Sequence, residues 1–165
     1  VIRSEIRALK SQNLGHYTVY LPAYSDEFIL KKLVKFPNKK FQVFSKHTKE
    51  DYTKGNIEVS KVNNLKFNQS LADCEGLLTG GGFEGPAEAM FLGKKVLCVP
   101  MFHQYEQQCN ALAAEDLGAT VIWNEKEFDQ KLKFWIEEGE SIKVDFPDET
   151  EEVILNIINS YQRKF

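Results

Sequence analysis

The 165-residue chain has no cysteine pair at CxxC spacing, no long apolar run and almost no net charge, and each absence removes a class of protein. Its cysteines, Cys74, Cys98 and Cys109, are odd in number and widely spaced, which argues against a disulfide framework and against a thiolate zinc site. A reducing compartment fits such thiols best. No apolar run approaches the roughly 20 residues of a membrane helix, and no charged n-region precedes a short apolar stretch as in a secretory signal. Lys and Arg number 21 against 24 Asp and Glu, a formal charge of -3, so the totals carry no electrostatic footprint for nucleic acid or an anionic membrane. The expectation is a cytoplasmic protein, in solution or peripheral to a membrane, with no nucleic-acid partner and no transmembrane segment. Internal repeats and low-complexity segments are absent too, and 42% hydrophobic residues exclude a disordered tail. Methionine is scarce: only Met90 and Met101 occur and the chain begins Val-Ile-Arg-Ser, which leaves open an excised domain or a processed product.

The missing motifs narrow the chemistry further. No GxxxxGK[ST] occurs, so a P-loop nucleotide hydrolase is disfavoured. The one glycine run lacks GxGxxG spacing and comes after the middle of the chain, which disfavours a nicotinamide or flavin dinucleotide enzyme. No Asp-x-Asp pair is present to hold a metal ion. No cofactor and no metal site are expected.

What is present is an alternation of short apolar runs and amphipathic segments. Tyr17–Leu21 is β-branched and aromatic and ends at Pro22, and Ser25-Asp26-Glu27 then caps a segment with Phe28, Ile29, Leu30, Leu33 and Val34 at helical spacing. Strands are predicted at Phe41–Phe44, Ile57–Val62, Gly76–Thr79, Val96–Val99 and Ala119–Trp123, and helices around Phe67–Ala72, Pro86–Leu92, Tyr105–Leu117, Phe128–Ile136 and Val153–Tyr161. Several of the strands are solidly apolar rather than alternating, the mark of a parallel sheet covered on both faces. The fold class is therefore α/β, a Rossmann-like parallel sheet of about six strands with helices on both sides. Residues 1–16 are polar and read as a linker or crossing segment, 17–147 as the domain proper, and 148–165 as a C-terminal helix behind an acidic stretch.

Six of the ten glycines lie between Gly76 and Gly93. A glycine loop, Gly80-Gly81-Gly82, that follows a buried strand and precedes a helix leaves backbone N–H groups at the carboxyl edge of the sheet, beside the positive end of a helix dipole. Together these make a phosphate site; the competing reading is a tight strand-to-helix turn without a ligand. Pro86 suits the first helical position with Gly85 as cap. Glu88 then falls in the first turn, where it either complements the dipole or accepts hydrogen bonds from the ribose of a nucleotide. His103, at the carboxyl end of a strand, is the one histidine with a plausible catalytic position, against the simpler reading of a solvated loop residue. His16 and His47 read as surface residues, Cys98 as core packing, and Trp123 and Trp135 as core or helix-face residues.

From Gly76 to Asn110 the sequence GLLTGGGFEGPAEAMFLGKKVLCVPMFHQYEQQCN resembles the donor-binding signature in the C-terminal domain of GT-B glycosyltransferases, the UDP-glycosyltransferases and the peptidoglycan GlcNAc transferase alike. Three pieces recur in one order. They are a Gly-rich strand end followed by an aromatic, a Glu in the next helix ahead of a Gly-Lys turn, and a strand-Pro-loop-acid-Gln-x-x-Asn run. The likeness covers roughly residues 17 to 125. It implies that Gly80, Gly81, Gly82, Phe83, Glu84 and Gly85 hold a donor diphosphate and that Glu88 holds the ribose. It also implies that the main chain of Lys61, Val62 and Asn63 holds the base, and that Glu106 and Gln107 reach the donor sugar, with Asn110 at the matching later offset.

The sequence also departs from that pattern. Gly80 stands where many relatives carry a histidine, Gly85 replaces a small hydroxyl residue, and the loop from Pro100 to Glu106 is longer. Side-chain help to the phosphates is accordingly thin. The resulting expectation is the donor-binding half of a metal-independent glycosyltransferase. It would take a nucleotide sugar, a UDP-sugar by preference, and an unidentified acceptor, with the general base on an N-terminal domain of the same enzyme and no activity in this half alone. The alternatives are a non-hydrolysing sugar-nucleotide epimerase and a non-catalytic binding or regulatory module.

Overall fold

A computed structural model describes residues 2–162. The apolar runs form a seven-stranded sheet in the order β3-β4-β2-β1-β5-β6-β7, with β1 at His16–Tyr20, β2 at Lys40–Ser45, β3 at Tyr52–Lys54, β4 at Ile57–Lys61, β5 at Gly76–Gly80, β6 at Lys95–Val99 and β7 at Thr120–Val121. All pairings are parallel except β3 with β4. The seventh strand, against the six anticipated, is β3. Its Tyr-Thr-Lys is too short and too exposed to give an apolar signal, and it is defined only by the tight turn at Gly55, whose φ of 60° lies in the left-handed region.

The helices are α1 (Ser4–Arg7), α2 (Asp26–Leu33), α3 (Asn64–Asp73), α4 (Glu84–Phe91), α5 (Tyr105–Asp116), α6 (Phe128–Glu137, entered through a 3₁₀ turn) and α7 (Thr150–Gln162). On one face of the sheet Ile29, Leu30 and Leu33 of α2 and Phe128, Leu132, Trp135 and Ile136 of α6 pack on Tyr17, Val19, Phe41, Val43, Ile57 and Val59. On the other, Leu71 and Ala72 of α3, Ala89 and Met90 of α4 and Ala111 and Ala114 of α5 pack on Leu77, Val96, Cys98 and Val121. Trp135 is buried against Tyr17, ring centroids 5.0 Å apart, whereas Trp123, which reads the same way in the sequence, is exposed just past β7. Cys98 lies in the second cluster, where burial pushes its thiol up to about 12.

The polar N-terminal segment is not a loose tether. Ile2 and Ile6 are buried in the second cluster, and Gln12 N–H and Leu14 N–H donate to Ala72 O and Asp73 O at 3.0 and 2.8 Å. Lys94, itself buried, reaches Gln12 O at 2.5 Å and Cys74 O at 2.9 Å. His16 is likewise interior, 6% exposed with Nε2 3.2 Å from both the carbonyl and the hydroxyl of Ser70, because it is the first residue of a central strand rather than the end of a loop. At the other terminus, Val153, Ile154, Leu155, Ile157, Ile158 and Tyr161 of α7 are all exposed. No helix among the described residues is long and apolar enough to cross a membrane.

Candidate functional site

The strand order reverses direction between β1 and β5, the position where an open α/β sheet leaves a crevice at the carboxyl ends of its strands. A cavity of about 630 Å³ lies there, walled by Tyr20 at the end of β1 and Pro22 beyond it, Val62 after β4, Asn64, Phe67 and Asn68 of α3, Thr79, Gly80 and Gly82 at the end of β5, and Phe83 to Pro86, Glu88, Glu106 and Gln107. The glycine loop therefore opens into the largest polar-and-apolar recess at that edge, together with most residues expected at a nucleotide site.

The three glycines serve different ends. A Cβ on Gly81 would come within 2.6 Å of Gln107 O and 3.0 Å of Pro100 Cβ, so this glycine lets α5 approach the loop. Gly82 has nothing within 4 Å of such a Cβ and faces the cavity. Gly80 has only Gln107 Oε1 and Val99 O nearby, at 3.8 and 4.0 Å. None of the three has a positive φ, so close approach, not left-handed backbone, is what glycine provides here.

Helix α4 begins two residues earlier than anticipated, at Glu84 with Phe83 as cap. Pro86 and Gly85 are thus inside the first turn, and Glu88 sits one turn in rather than at the helix start. The correction matters for its chemistry, since a carboxylate beyond the free N–H groups no longer complements the dipole at short range. Glu88 is buried, 1% exposed, and both oxygens accept from Arg3, Nε to Oε1 at 2.7 Å and Nη2 to Oε2 at 2.8 Å. Arg3 also reaches Asn68 Oδ1 at 3.3 Å, and its bond to Glu88 raises its pKa above the usual arginine value. No local pattern in the sequence points to this forked pair. Arg3 is 85 positions from Glu88 in a segment read as a linker, and only the buried isoleucines at positions 2 and 6, spaced as one helix face, hinted that the segment docks. A carboxylate offers about four lone-pair sites, so two remain for hydroxyl donors from the cavity.

The expected sugar contacts divide. Glu106 is exposed and lines the cavity. Gln107 is turned to the protein: its Oε1 accepts from Gly81 N–H at 3.3 Å and Met101 N–H at 3.1 Å, and its Nε2 donates to Gln104 Oε1 at 2.8 Å. Asn110 donates to Gly81 O at 3.3 Å. Gln107 and Asn110 thus hold the glycine loop from α5, because α5 packs so close to Gly81 that their amides meet its backbone before anything in the crevice.

The three residues expected at the base diverge as well. Val62 lines the cavity and Asn64 joins it, whereas Lys61 and Asn63 do not. Lys61 ends β4 and its N–H donates to Asp51 Oδ1 at 2.9 Å. Val62 N–H reaches Ser45 O at 3.3 Å, and the Asn63 side chain caps α3 by accepting from Lys66 N–H. His103 is exposed beside Phe102, ring centroids 4.7 Å apart, and the structure does not bring it to the wall of this cavity.

The arrangement resembles that of known proteins at two levels. Among solved structures, 78% of the chain superposes on 36% of the glycosyltransferase of kitacinnamycin with a TM-score of 0.58 at 17% identity. It matches spinosyn forosaminyltransferase SpnP over 84% of this chain and 38% of that one, TM-score 0.50 and 14% identity. SnogD from Streptomyces nogalater gives 79% and 36%, TM-score 0.50 and 15% identity. The chain thus spans well under half the length of these enzymes, and at such identities the likeness establishes the GT-B Rossmann-like fold alone. No curated protein sequence matches significantly. The profile described as Glycosyl transferase family 1 does match, over residues 1–136, a span that takes in Arg3, the glycine loop, Glu88 and α5. The chain belongs to glycosyl transferase family 1.

Proposed function

We propose that the domain binds the nucleotide-sugar donor of a glycosyltransferase, a UDP-sugar by preference, and that the acceptor and general base come from an N-terminal domain of the same enzyme. The observation that carries the reading is the glycine loop opening into one crevice with the Arg3–Glu88 pair. The diphosphate would lie on Gly80–Gly82 and the first N–H groups of α4, between Phe83, Glu84 and Gly85, where preorganised donors stabilise the leaving group without a reorganisation cost. Glu88, fixed by Arg3, would accept from the ribose hydroxyls. Val62 and the loop from Lys61 to Asn63 would flank the base, Glu106 would take a sugar hydroxyl, and Gln107 would set the height of the glycine loop rather than touch the sugar. Metal independence belongs to the same reading and is supported by the lack of an Asp-x-Asp pair.

Calorimetry with UDP and with 2′-deoxy-UDP tests the central assignment. The wild-type domain should bind UDP more tightly than the deoxy analogue. Glu88→Ala should weaken UDP by about 1–3 kcal/mol, the scale of a lost charge-assisted hydrogen bond, and should abolish the preference for the ribo form. A variant that weakens both ligands equally would make Glu88 a staple for Arg3 and no more. A radiolabelled-donor assay checks the division of labour: the 165-residue chain should transfer no sugar, and turnover by it would place acceptor and base within this half.

A further inference from the structure

The donor crevice carries the wrong charge for its ligand. Among the described residues its walls include three carboxylates, Glu84, Glu88 and Glu106, and a single cation, Arg3, whose guanidinium is already bound at both forks of Glu88. A nucleoside diphosphate brought there meets a formal excess of negative charge, which N–H dipoles at a helix end of about half an elementary charge do not offset. A further cation facing the phosphates would offset that excess.

The adjoining recess holds one. A second cavity of about 250 Å³ shares Pro22, Gly80 and Gln107 with the donor crevice and is otherwise walled by Leu21, Ala23, Tyr24, Val99, Met101 and Lys46. Among the described residues, Lys46 is the only charged one on that wall. It directly follows β2, which lies beside β1 and so one strand removed from the end of β5. The Lys46 ammonium rests 5.9 Å from the centroid of Tyr20, a residue of the donor wall, at the outer limit of a cation–π contact. Among the described residues no carboxylate pairs with it, while the lysine across the neighbouring loop, Lys66, is held by Asp51 at 2.9 Å. Asp26, beside the same strand end, accepts instead from the Ser45 hydroxyl at 2.6 Å. A flexible four-carbon stem with a weakly held ammonium is a point charge that can swing to a phosphate.

Resting on the donor reading above, the geometry points to Lys46 as a donor-binding residue that reaches across Tyr20 to the diphosphate at Gly80. It supplies the positive charge that the glycine loop lacks. The ring of Tyr20 parks the ammonium when the crevice is empty, and the diphosphate, a stronger anion than a ring quadrupole, draws it over.

The test compares UDP with uridine on the wild-type chain and on Lys46→Gln and Lys46→Arg. Because Lys46 is exposed, all three should melt alike. Lys46→Gln should bind UDP about fivefold more weakly, the scale of an exposed charge pair at the upper end of its range, and uridine unchanged; Lys46→Arg should restore UDP. The wild-type preference for UDP over uridine should also shrink with added salt, and less so in Lys46→Gln. Equal affinities of wild type and Lys46→Gln for UDP, or an equal loss for uridine and UDP, overturn the assignment of Lys46 while leaving the donor site standing. Failure of the wild-type chain to bind UDP or any other nucleoside diphosphate overturns both.

Discussion

The two halves of the sheet are built to different rules. Around β5, β6 and β7 both faces are apolar and clad: Leu77, Val96 and Cys98 lie under α4 and α5, and Leu78, Leu97 and Val99 face the cluster that α6 completes. Around β2, β4 and β3 only one face follows suit. The register aligns Thr18, Gln42, Glu58 and Thr53 in one row across four strands, and the alternate row is Tyr17, Phe41 and Ile57. One face is thus apolar throughout, while the other is polar in this row and carries Phe44, packed on Phe67 of α3, farther along, closer to the alternation of a half-solvated sheet than to a buried parallel one. The cause is the connection from β2 to β4, which carries the β3 hairpin where the other parallel crossovers carry a helix. A groove of about 640 Å³ remains on that face, bounded by α3 through Lys66, Gln69, Ser70 and Asp73. The glycine loop grows from the clad half, where a shift of the backbone would meet packed atoms on both sides. The loop from Lys61 to Asn63 grows from the open half, held by a cap and two single hydrogen bonds.

The comparison predicts a graded response to substitution. The largest effect should come from Trp135→Ala, which removes a fully buried ring packed at a tilt against Tyr17 and should cost about 3–5 kcal/mol in chemical denaturation. Next is Gly81→Ala, whose Cβ would meet main-chain Gln107 O at 2.6 Å; overpacking of this kind costs about 1–3 kcal/mol and should displace the loop, lowering UDP affinity as well. Gly82→Ala supplies the contrast within one loop. With open space around its Cβ and no positive φ, it should leave the melting temperature in place and reduce UDP affinity alone. Equal destabilisation by the two alanines would break the distinction between a packing glycine and a crevice glycine.

The clad half was also the legible half. Val96–Val99 and Leu77–Leu78 are apolar on consecutive residues, which fixes a doubly covered strand without any tertiary information, and the glycine run between them gives the crevice its place in the chain. Features that depend on partners distant in sequence escaped. Nothing local shows that Arg3 will meet Glu88, that Gln107 will turn its amide to Gly81, or that β3 will add to the sheet edge. The sequence places the start of α4 two residues late for a local reason: Pro86 is tolerated anywhere in the first turn, since the N–H it lacks has no partner there, so proline marks the turn but not its first residue. In the sequence His16 reads as a surface residue because it follows Gly15, although strand β1 starts at the histidine itself.

That histidine offers a pH-dependent contrast between the halves. Burial lowers the His16 pKa below its usual value, against the raising influence of the Ser70 carbonyl. A histidine with a depressed folded pKa binds fewer protons native than unfolded, so it contributes stability above the unfolded pKa of about 6.5 and that contribution is lost as pH falls below it. Stability of the wild type should therefore drop between pH 7.5 and 5.5 by more than that of His16→Gln, measured by the urea midpoint. Parallel curves for the two proteins would mean that the imidazole is solvated at the lip of the groove instead of being held neutral by burial.

The smallest effect should come from the polar row itself. Gln42 and Glu58 face the open groove, and with neither a helix above them nor a hydrogen bond that the fold depends on, Gln42→Ala and Glu58→Ala should each change stability by no more than about 0.5 kcal/mol. Gln42→Leu sharpens the point. On a clad face a leucine in that register would gain burial, whereas over an open groove it leaves apolar surface in water and should bring no stabilisation, while raising the binding of a hydrophobic dye. A gain of stability approaching the roughly 1.5–3 kcal/mol of a fully buried leucine would mean that α3 closes over the row in solution, and that the two halves of the sheet are clad alike after all.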